Sequence, residues 1–390
     1  MISFENTQVA FESKSDADLN RAYQLFKLIG NRNLVKIGKP LTNFALAIGL
    51  PIKGLIKKTI FAQFCGGETI DGCDEKIQTL GKFGIGTILD YSVEGKTSEE
   101  DFEHTTNEII ATILKGKNNA FIPFAVFKVT GIARFEILEK ANRTVDNLNN
   151  IELEEYKHVV ARVERICKAA YDNKIPVFID AEETWIQTTI DRITLDMMRL
   201  FNKETAIVYN TIQMYRHDRL AFLKEEITLA KNEGFHYGVK LVRGAYMEKE
   251  RERAAKKGYS SPIQPDKNAC DKDYNLALEY IVNEIDHVAL CAGSHNEESA
   301  QFLAELMDKK GIQHNDSRIY FAQLLGMSDH ISYNLSKLEY NVAKYVPYGP
   351  IKEVMPYLLR RADENTSVAG QTGRELSLII KERNRRKLKN

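Results

Sequence analysis

The sequence predicts a (β/α)8 TIM-type barrel, distorted by an N-terminal helical arm and by an extra helical insertion between strands two and three. Three observations carry this. After Phe64 eight short β-rich runs follow in series, amphipathic helical sequence separates each from the next, and the runs are almost continuously apolar. Strands buried on both faces read that way, and parallel neighbours need a helical crossover between them. Eight such units are the number that closes a barrel. A doubly wound open sheet would want fewer strands and a glycine-rich first turn.

Residues 1–64 form the arm. Ala17, Leu19, Ala22, Leu25, Phe26 and Ile29 recur at helical spacing, and from Leu34 to Phe64 the chain turns apolar and basic, broken by Pro40 and Pro51. A packed arm is the expectation. Lys53, Lys57 and Lys58 among apolar neighbours leave a membrane-surface patch as the rival. The barrel occupies residues 65–375. Its strand runs are Gly84–Tyr91, Phe121–Val129, Pro176–Asp180, Ala206–Met214, Tyr237–Val242, His287–Ala292, Arg318–Leu324 and Val342–Val346. Ile77–Leu80 reads as helix before the first run, and Leu220–Asn232 as helix between the fourth and fifth. The charged stretch Ile132–Asn173 is the insertion. Residues 376–390 read as a basic tail, with six cations and one acid in the last ten positions.

Composition excludes several classes. Fifty-four basic and fifty-four acidic residues leave no net field for nucleic acid, so no nucleic-acid partner is expected. Cys65, Cys73, Cys167, Cys270 and Cys291 are odd in number and lack a C-x-x-C pair, which fits a reducing compartment and argues against a zinc site. The start has neither signal-peptide nor transit character, and no apolar run approaches the roughly 20 residues of a spanning helix. A cytoplasmic protein is expected. Contact with the inner face of the cell membrane through the arm or the tail stays open.

In a barrel the C-terminal strand ends build the active site. Here they offer Lys128 on strand two, Asp180-Ala181-Glu182-Glu183 on three, Gln213 on four, Lys240 to Tyr246 on five, Ser294-His295-Asn296 on six, Gln323 on seven and Tyr345 on eight. Cations in a buried strand are costly unless paired, so Lys240 and Arg243 beside Gly244 point to an anionic or electron-rich ligand. Arg360 and Arg361 lie on an apolar helix after strand eight. Paired guanidinium forks suit a carboxylate or phosphate, and Glu364 is one helical turn from Arg360. Metal ligation by Asp180, Glu182 and His295 is the weaker reading, and no metal is expected. A Schiff-base lysine at Lys128 or Lys240 remains an alternative, as in an aldolase-type barrel, and so does a non-catalytic amino-acid-binding barrel.

Taken together these strings resemble the proline dehydrogenase (proline oxidase) family, in a form closer to its eukaryotic members. Lys-Leu-Val-Arg-Gly-Ala-Tyr at 240–246 is similar to the family's fifth-strand motif. Asp180–Glu183, Gln213–Tyr215, Ser294–Asn296, Gln323–Met327, Tyr345–Gly349 and Arg360–Asn365 match further motifs in order, over about residues 60–370. The resemblance implies a barrel that holds FAD and oxidises L-proline to Δ1-pyrroline-5-carboxylate by hydride transfer. Electrons would pass to a membrane quinone. No aldehyde-dehydrogenase half is visible, so the product would pass to a separate pyrroline-5-carboxylate dehydrogenase.

Carried over by residue, the resemblance assigns the substrate carboxylate to Arg360 and Arg361, with Lys128 beside them. Tyr246 and Tyr345 would flank the pyrrolidine ring, and Glu68 would reach Arg360 as a lid ion pair. Asp180 would help fix Lys128. Lys240 stands where many bacterial members have arginine near the flavin. Ala181, Gln213, Arg243, Gly244, Ala245, Ser294, His295 and Gln323 would hold the FAD. A carboxylate clamp plus an apolar face is what a cyclic amino acid needs, and a cation near the flavin would stabilise the charge it gains.

Overall fold

A computed structural model describes residues 2–30, 53–93, 97–367 and 371–388, apart from the side chains of 362–367 and 371–372. The expected segment Leu34–Pro51 falls outside the described residues. Eight parallel strands form a closed barrel in sequential order. They are β1 (Ile85–Tyr91), β2 (Phe124–Lys128), β3 (Val177–Asp180), β4 (Val208–Gln213), β5 (Tyr237–Val242), β6 (Val288–Gly293), β7 (Ile319–Leu324) and β8 (Val342–Tyr348). Each falls within or beside an apolar run read from the sequence.

The chain divides into two compact units, one of residues 95–322 and the other of 2–94 with 323–390. In the first, β2 to β6 pair in parallel register and β6 continues onto β7. Lys128 stands opposite Asp180, and Lys240 has Thr211 on one side and Cys291 on the other. Phe124 stacks on Phe178 at 4.5 Å between centroids, and Tyr209 and Tyr320 meet the Phe124 ring edge-on. Rings from β2, β3, β4 and β7 can meet only by pointing inward, so they fill the interior of this part of the barrel.

The expected insertion is present. Between β2 and β3 lie a short helix, Phe135–Ala141, and a long one, Asn150–Asn173. The long helix begins in a capping box, in which Asn149 and Glu152 satisfy each other's backbone N–H groups, and it ends at Lys174 with φ +55°. On the strand-end side, α1 (Thr184–Phe201) follows β3, α2 (Met247–Lys257) follows β5, α3 (Lys267–Asn283) precedes β6 and α4 (Glu297–Lys310) follows it.

In the second unit β1 pairs with β8 from Ile85↔Val342 to Tyr91↔Tyr348. The helix Asp16–Ile29 buries Leu19, Ala22, Leu25, Phe26 and Ile29 as its stripe predicts, while Ala17 is exposed. That face joins one core with Val354 and Leu358 of α5 (Ile351–Ser367) and Leu378 and Ile379 of α6 (Gln371–Arg385). The expected basic tail 376–390 is therefore corrected: as far as Arg385 it is helix, docked by its apolar side. Several of its cations bond within the chain. Lys381 reaches Glu5, Arg383 reaches Asn20 and lies 4.0 Å over the Tyr23 ring, and Arg386 reaches Asp16 and two backbone carbonyls. No helix among the described residues is long and apolar enough to cross a membrane.

Candidate active site

The strand exits of the first unit gather charge. Lys240 points from β5 and forms an ion pair with Asp180, the last residue of β3. Only 5 % of Lys240 is exposed, and its ammonium sits 5.5 Å over the Phe178 ring. Asp180, expected to help fix Lys128, stands opposite it in register and pairs with Lys240.

Glu182 is a second carboxylate within reach of the Lys128 charge. This side chain is 4 % exposed and accepts hydrogen bonds from the Thr130 N–H at 3.1 Å and from the Thr130 hydroxyl. Burial pushes its carboxyl up to about 7, against the opposing pull of Lys128 and Thr130. Its own N–H donates to Gln187 at 2.7 Å. Asp180 and Glu182 therefore diverge, and no group of three His, Cys, Asp or Glu among the described residues is arranged to hold a metal ion.

At the end of β4, Gln213 is buried and its side-chain carbonyl oxygen has no hydrogen-bond partner. A buried acceptor left unsatisfied costs about 1–3 kcal/mol, so such a group points to a missing donor. Arg243, just past β5, spreads its guanidinium over three acceptors: Asp271 at 2.7 Å, the Ser294 hydroxyl at 2.8 Å and the Ser299 hydroxyl at 2.9 Å. It also stacks 4.3 Å over the Tyr274 ring. Gly244 follows with φ +128°, and a Cβ there would lie 2.5 Å from the Tyr215 ring. The glycine is needed both for its backbone angle and for that close approach.

Tyr246 is half-buried against Tyr215, Ile263 and Cys270. The helix α2 behind it is fastened to the β3 exit: Glu250, wholly buried, accepts from the Thr184 N–H at 2.7 Å and hydroxyl at 2.8 Å, and Lys249 pairs with Glu183. Arg253 lies 4.2 Å over the Trp185 ring. Ala181 is buried next to Asp180, Ala245 is exposed, and Ser294 and His295 follow β6 half-buried.

The second unit carries the remaining candidates. Tyr345 is buried on β8 at 9 % exposure, and its carbonyl accepts from the Leu325 N–H. Gln323 on β7 accepts from the Ser332 hydroxyl at 2.8 Å. Arg360 is half-buried and Arg361 buried on α5, the Arg361 guanidinium 4.9 Å over the Tyr357 ring. The Glu364 side chain lies outside the described ones. Glu68, expected to reach Arg360, forms an ion pair with Lys57 at 2.6 Å. Both members of that pair are exposed, where a flexible lysine from the neighbouring helical stretch reaches the carboxylate at little desolvation cost.

Among the residues that hold this arrangement, Thr130, Asp271 and Ser299 escaped the sequence reading. Asp271 sits in a polar stretch 28 positions from Arg243, with nothing local to mark it. Glu182 is visible in the Asp-Ala-Glu-Glu string, but its link to Thr130 is not.

A closed (β/α)8 barrel with a buried lysine–aspartate pair and an unsatisfied acceptor at its strand exits defines an enzyme barrel. The Proline dehydrogenase family profile matches residues 73–374. The chain belongs to the proline dehydrogenase family. "Proline dehydrogenase 1, mitochondrial" of Dictyostelium discoideum is 32% identical over 426 residues, covering 98% of this chain and 74% of that protein. "Hydroxyproline dehydrogenase" of Xenopus laevis is 29% identical over 425 residues, covering 99% and 90%. The crystal structure of proline utilization A from Bdellovibrio bacteriovorus, inactivated by N-propargylglycine, has a TM-score of 0.74 at 19% identity. It covers 95% of this chain, which spans 40% of that one, and the likeness is one of fold.

Proposed function

We propose that the chain oxidises L-proline to Δ1-pyrroline-5-carboxylate with FAD bound at the strand exits. Electrons then pass to a quinone, and the product to a separate pyrroline-5-carboxylate dehydrogenase. Membership of the family supports proline as substrate. The observation that carries the cofactor is Gln213, whose buried carbonyl lacks a donor and suits the imide N–H of a flavin ring.

Bound FAD supplies a two-electron acceptor for the hydride leaving proline C5. The chain's own residues do the rest. Lys240, kept in place by Asp180 and by the Phe178 face, supplies positive charge where negative charge develops. Arg243, Gly244, Ala245, Ser294, His295, Ala181 and Gln323 hold the cofactor. Arg243 is pre-oriented for this by Asp271 and Ser299, so little ordering is left for binding. Arg360, Arg361 and Lys128 are assigned to the substrate carboxylate, and Tyr246 and Tyr345 to the ring methylenes, where they exclude water. A Schiff base at Lys240 is disfavoured, because its ammonium is paired with Asp180.

The absorbance spectrum of the purified protein tests this reading. A flavin band at roughly 450 nm that bleaches on adding L-proline is expected. A colourless protein that FAD cannot reconstitute would overturn it.

A further inference from the structure

We propose that Glu250 is a positioning residue for substrate recognition: by clasping α2 to the first turn of α1, it sets where Tyr246 stands against the substrate ring. The proposal rests on Tyr246 facing that ring.

The helix α2 has almost no apolar side with which to dock. Of its 11 residues, Glu250 and Ala254 are the buried ones. A helix that buries a single methyl group is placed by its polar contacts, because it lacks the apolar stripe that seats an ordinary surface helix. The buried contact is the Glu250 carboxylate, which accepts from the Thr184 N–H at 2.7 Å and from the Thr184 hydroxyl at 2.8 Å. Thr184 opens α1, and the N-cap before it, Glu183, makes no side-chain capping bond. Glu250 therefore supplies from a second helix the acceptor that the open end of α1 requires, and its charge suits that end of the helix.

The other ties of α2 are weaker. Lys249 pairs with Glu183 from an exposed position, Arg251 donates to the Gln264 carbonyl at 3.1 Å, and Arg253 pairs with Glu139 while lying over Trp185. Exposed ion pairs hold little, whereas hydrogen bonds to a charged group are the strong ones. The link to Tyr246 is direct. The Glu250 N–H donates to the Tyr246 carbonyl at 2.9 Å, closing the first turn of α2 on the residue that bears the ring. That ring packs on Tyr215, Ile263 and Cys270. Tyr246 is thus held between an apolar seat and the clasp, and releasing the clasp costs substrate binding rather than chemistry.

Steady-state kinetics of the flavin-loaded enzyme test this. Glu250→Ala should raise the KM for L-proline about tenfold with kcat nearly unchanged. Glu250→Gln keeps an oxygen for the Thr184 N–H and a polar group for its hydroxyl, so its KM should stay within about threefold of the parent. In a Tyr246→Ala background the further rise from Glu250→Ala should vanish, because a residue acting through Tyr246 has nothing left to position. Trp185, the single tryptophan of the chain, reports the clasp itself: iodide should quench its emission more strongly in Glu250→Ala and as in the parent in Glu250→Gln. Thr184→Ala, which removes the hydroxyl bond and leaves the N–H, decides the matter if Glu250→Ala fails to fold, and should give a smaller KM rise of the same kind. An unchanged KM in the alanine variants, an undiminished rise in the Tyr246→Ala background, or a raised KM with unaltered Trp185 quenching would each overturn the proposal. In all three cases proline still bleaches the parent's flavin, so the functional reading stands while this one falls.

Discussion

At the scale of single residues, Lys240 and Asp180 show how a strand tolerates a buried cation. Neither group could be left inside alone, because one uncompensated buried charge costs about 3–5 kcal/mol. Lys240→Met should therefore lower stability by about 3 kcal/mol, read as a shift in the urea midpoint, and adding Asp180→Asn should restore part of it. Equal losses in the single and double variants would mean the pair is not coupled. Tyr345 bears on the substrate. Its ring is buried, and if it packs over the pyrrolidine it leaves little room for a 4-hydroxyl. An apolar pocket rejects an added hydroxyl by about 100-fold at most, so kcat/KM should favour L-proline over 4-hydroxyproline within that limit. Equal values for the two substrates would remove Tyr345 from that role.

At the scale of elements, the exit of β5 and the turn after β7 are held by contacts that leave little slack. Gly244→Ala would force a Cβ to within 2.5 Å of the Tyr215 ring at φ +128°. Strain of about 1–3 kcal/mol follows, and the purified variant should retain less flavin per chain than the parent. Unchanged flavin content would show that this loop adapts. The turn after β7 depends on Lys344, fully buried on β8, which donates to the Met327 carbonyl at 2.5 Å and pairs with Asp329 at 2.9 Å. From α6, Glu375 accepts from the Ser328 N–H, and Gln63 donates to the Gly326 carbonyl at 2.8 Å. Burial alone would raise the Asp329 carboxyl, but Lys344 and Lys14 outweigh it and hold the group at about 2. A carboxyl depressed in the folded state adds stability above its unfolded value and loses it as pH falls through the folded one. Melting temperature should accordingly drop between about pH 4 and pH 2, and Lys344→Met, which leaves Asp329 only its longer ion pair with Lys14 at 3.5 Å, should weaken that limb while lowering stability at neutral pH.

At the scale of the whole molecule, the orphaned Gln213 carbonyl and the pre-oriented Arg243 describe a protein completed by its cofactor. A ligand that binds only the folded state stabilises it by about 2.7 kcal/mol at 100 times its Kd. Adding FAD to cofactor-stripped protein should raise the melting temperature, with a rise that grows with FAD concentration. Gln213→Leu removes the unsatisfied acceptor, so the stripped variant should be no less stable than the parent while gaining less from FAD. An equal FAD shift in both would sink the assignment of Gln213 to the cofactor.

The sequence by itself determined the barrel, because its signal is periodic and local: eight apolar runs, each long enough for one strand, with helical sequence between them. It also determined which strand ends carry polar groups, since a strand's end follows from its run. What it could not determine was pairing. That Asp180 pairs with Lys240, Glu68 with Lys57 and Asp271 with Arg243 depends on strands and helices distant in sequence. The last residues read as a basic tail because their charges dominate the composition. Only the tertiary structure gave Leu378 and Ile379 a core to enter and Arg383 and Arg386 intrachain partners. Charge is visible in a sequence, but its partner is chosen by the fold, because a Coulomb interaction depends on distance and burial rather than on chain order.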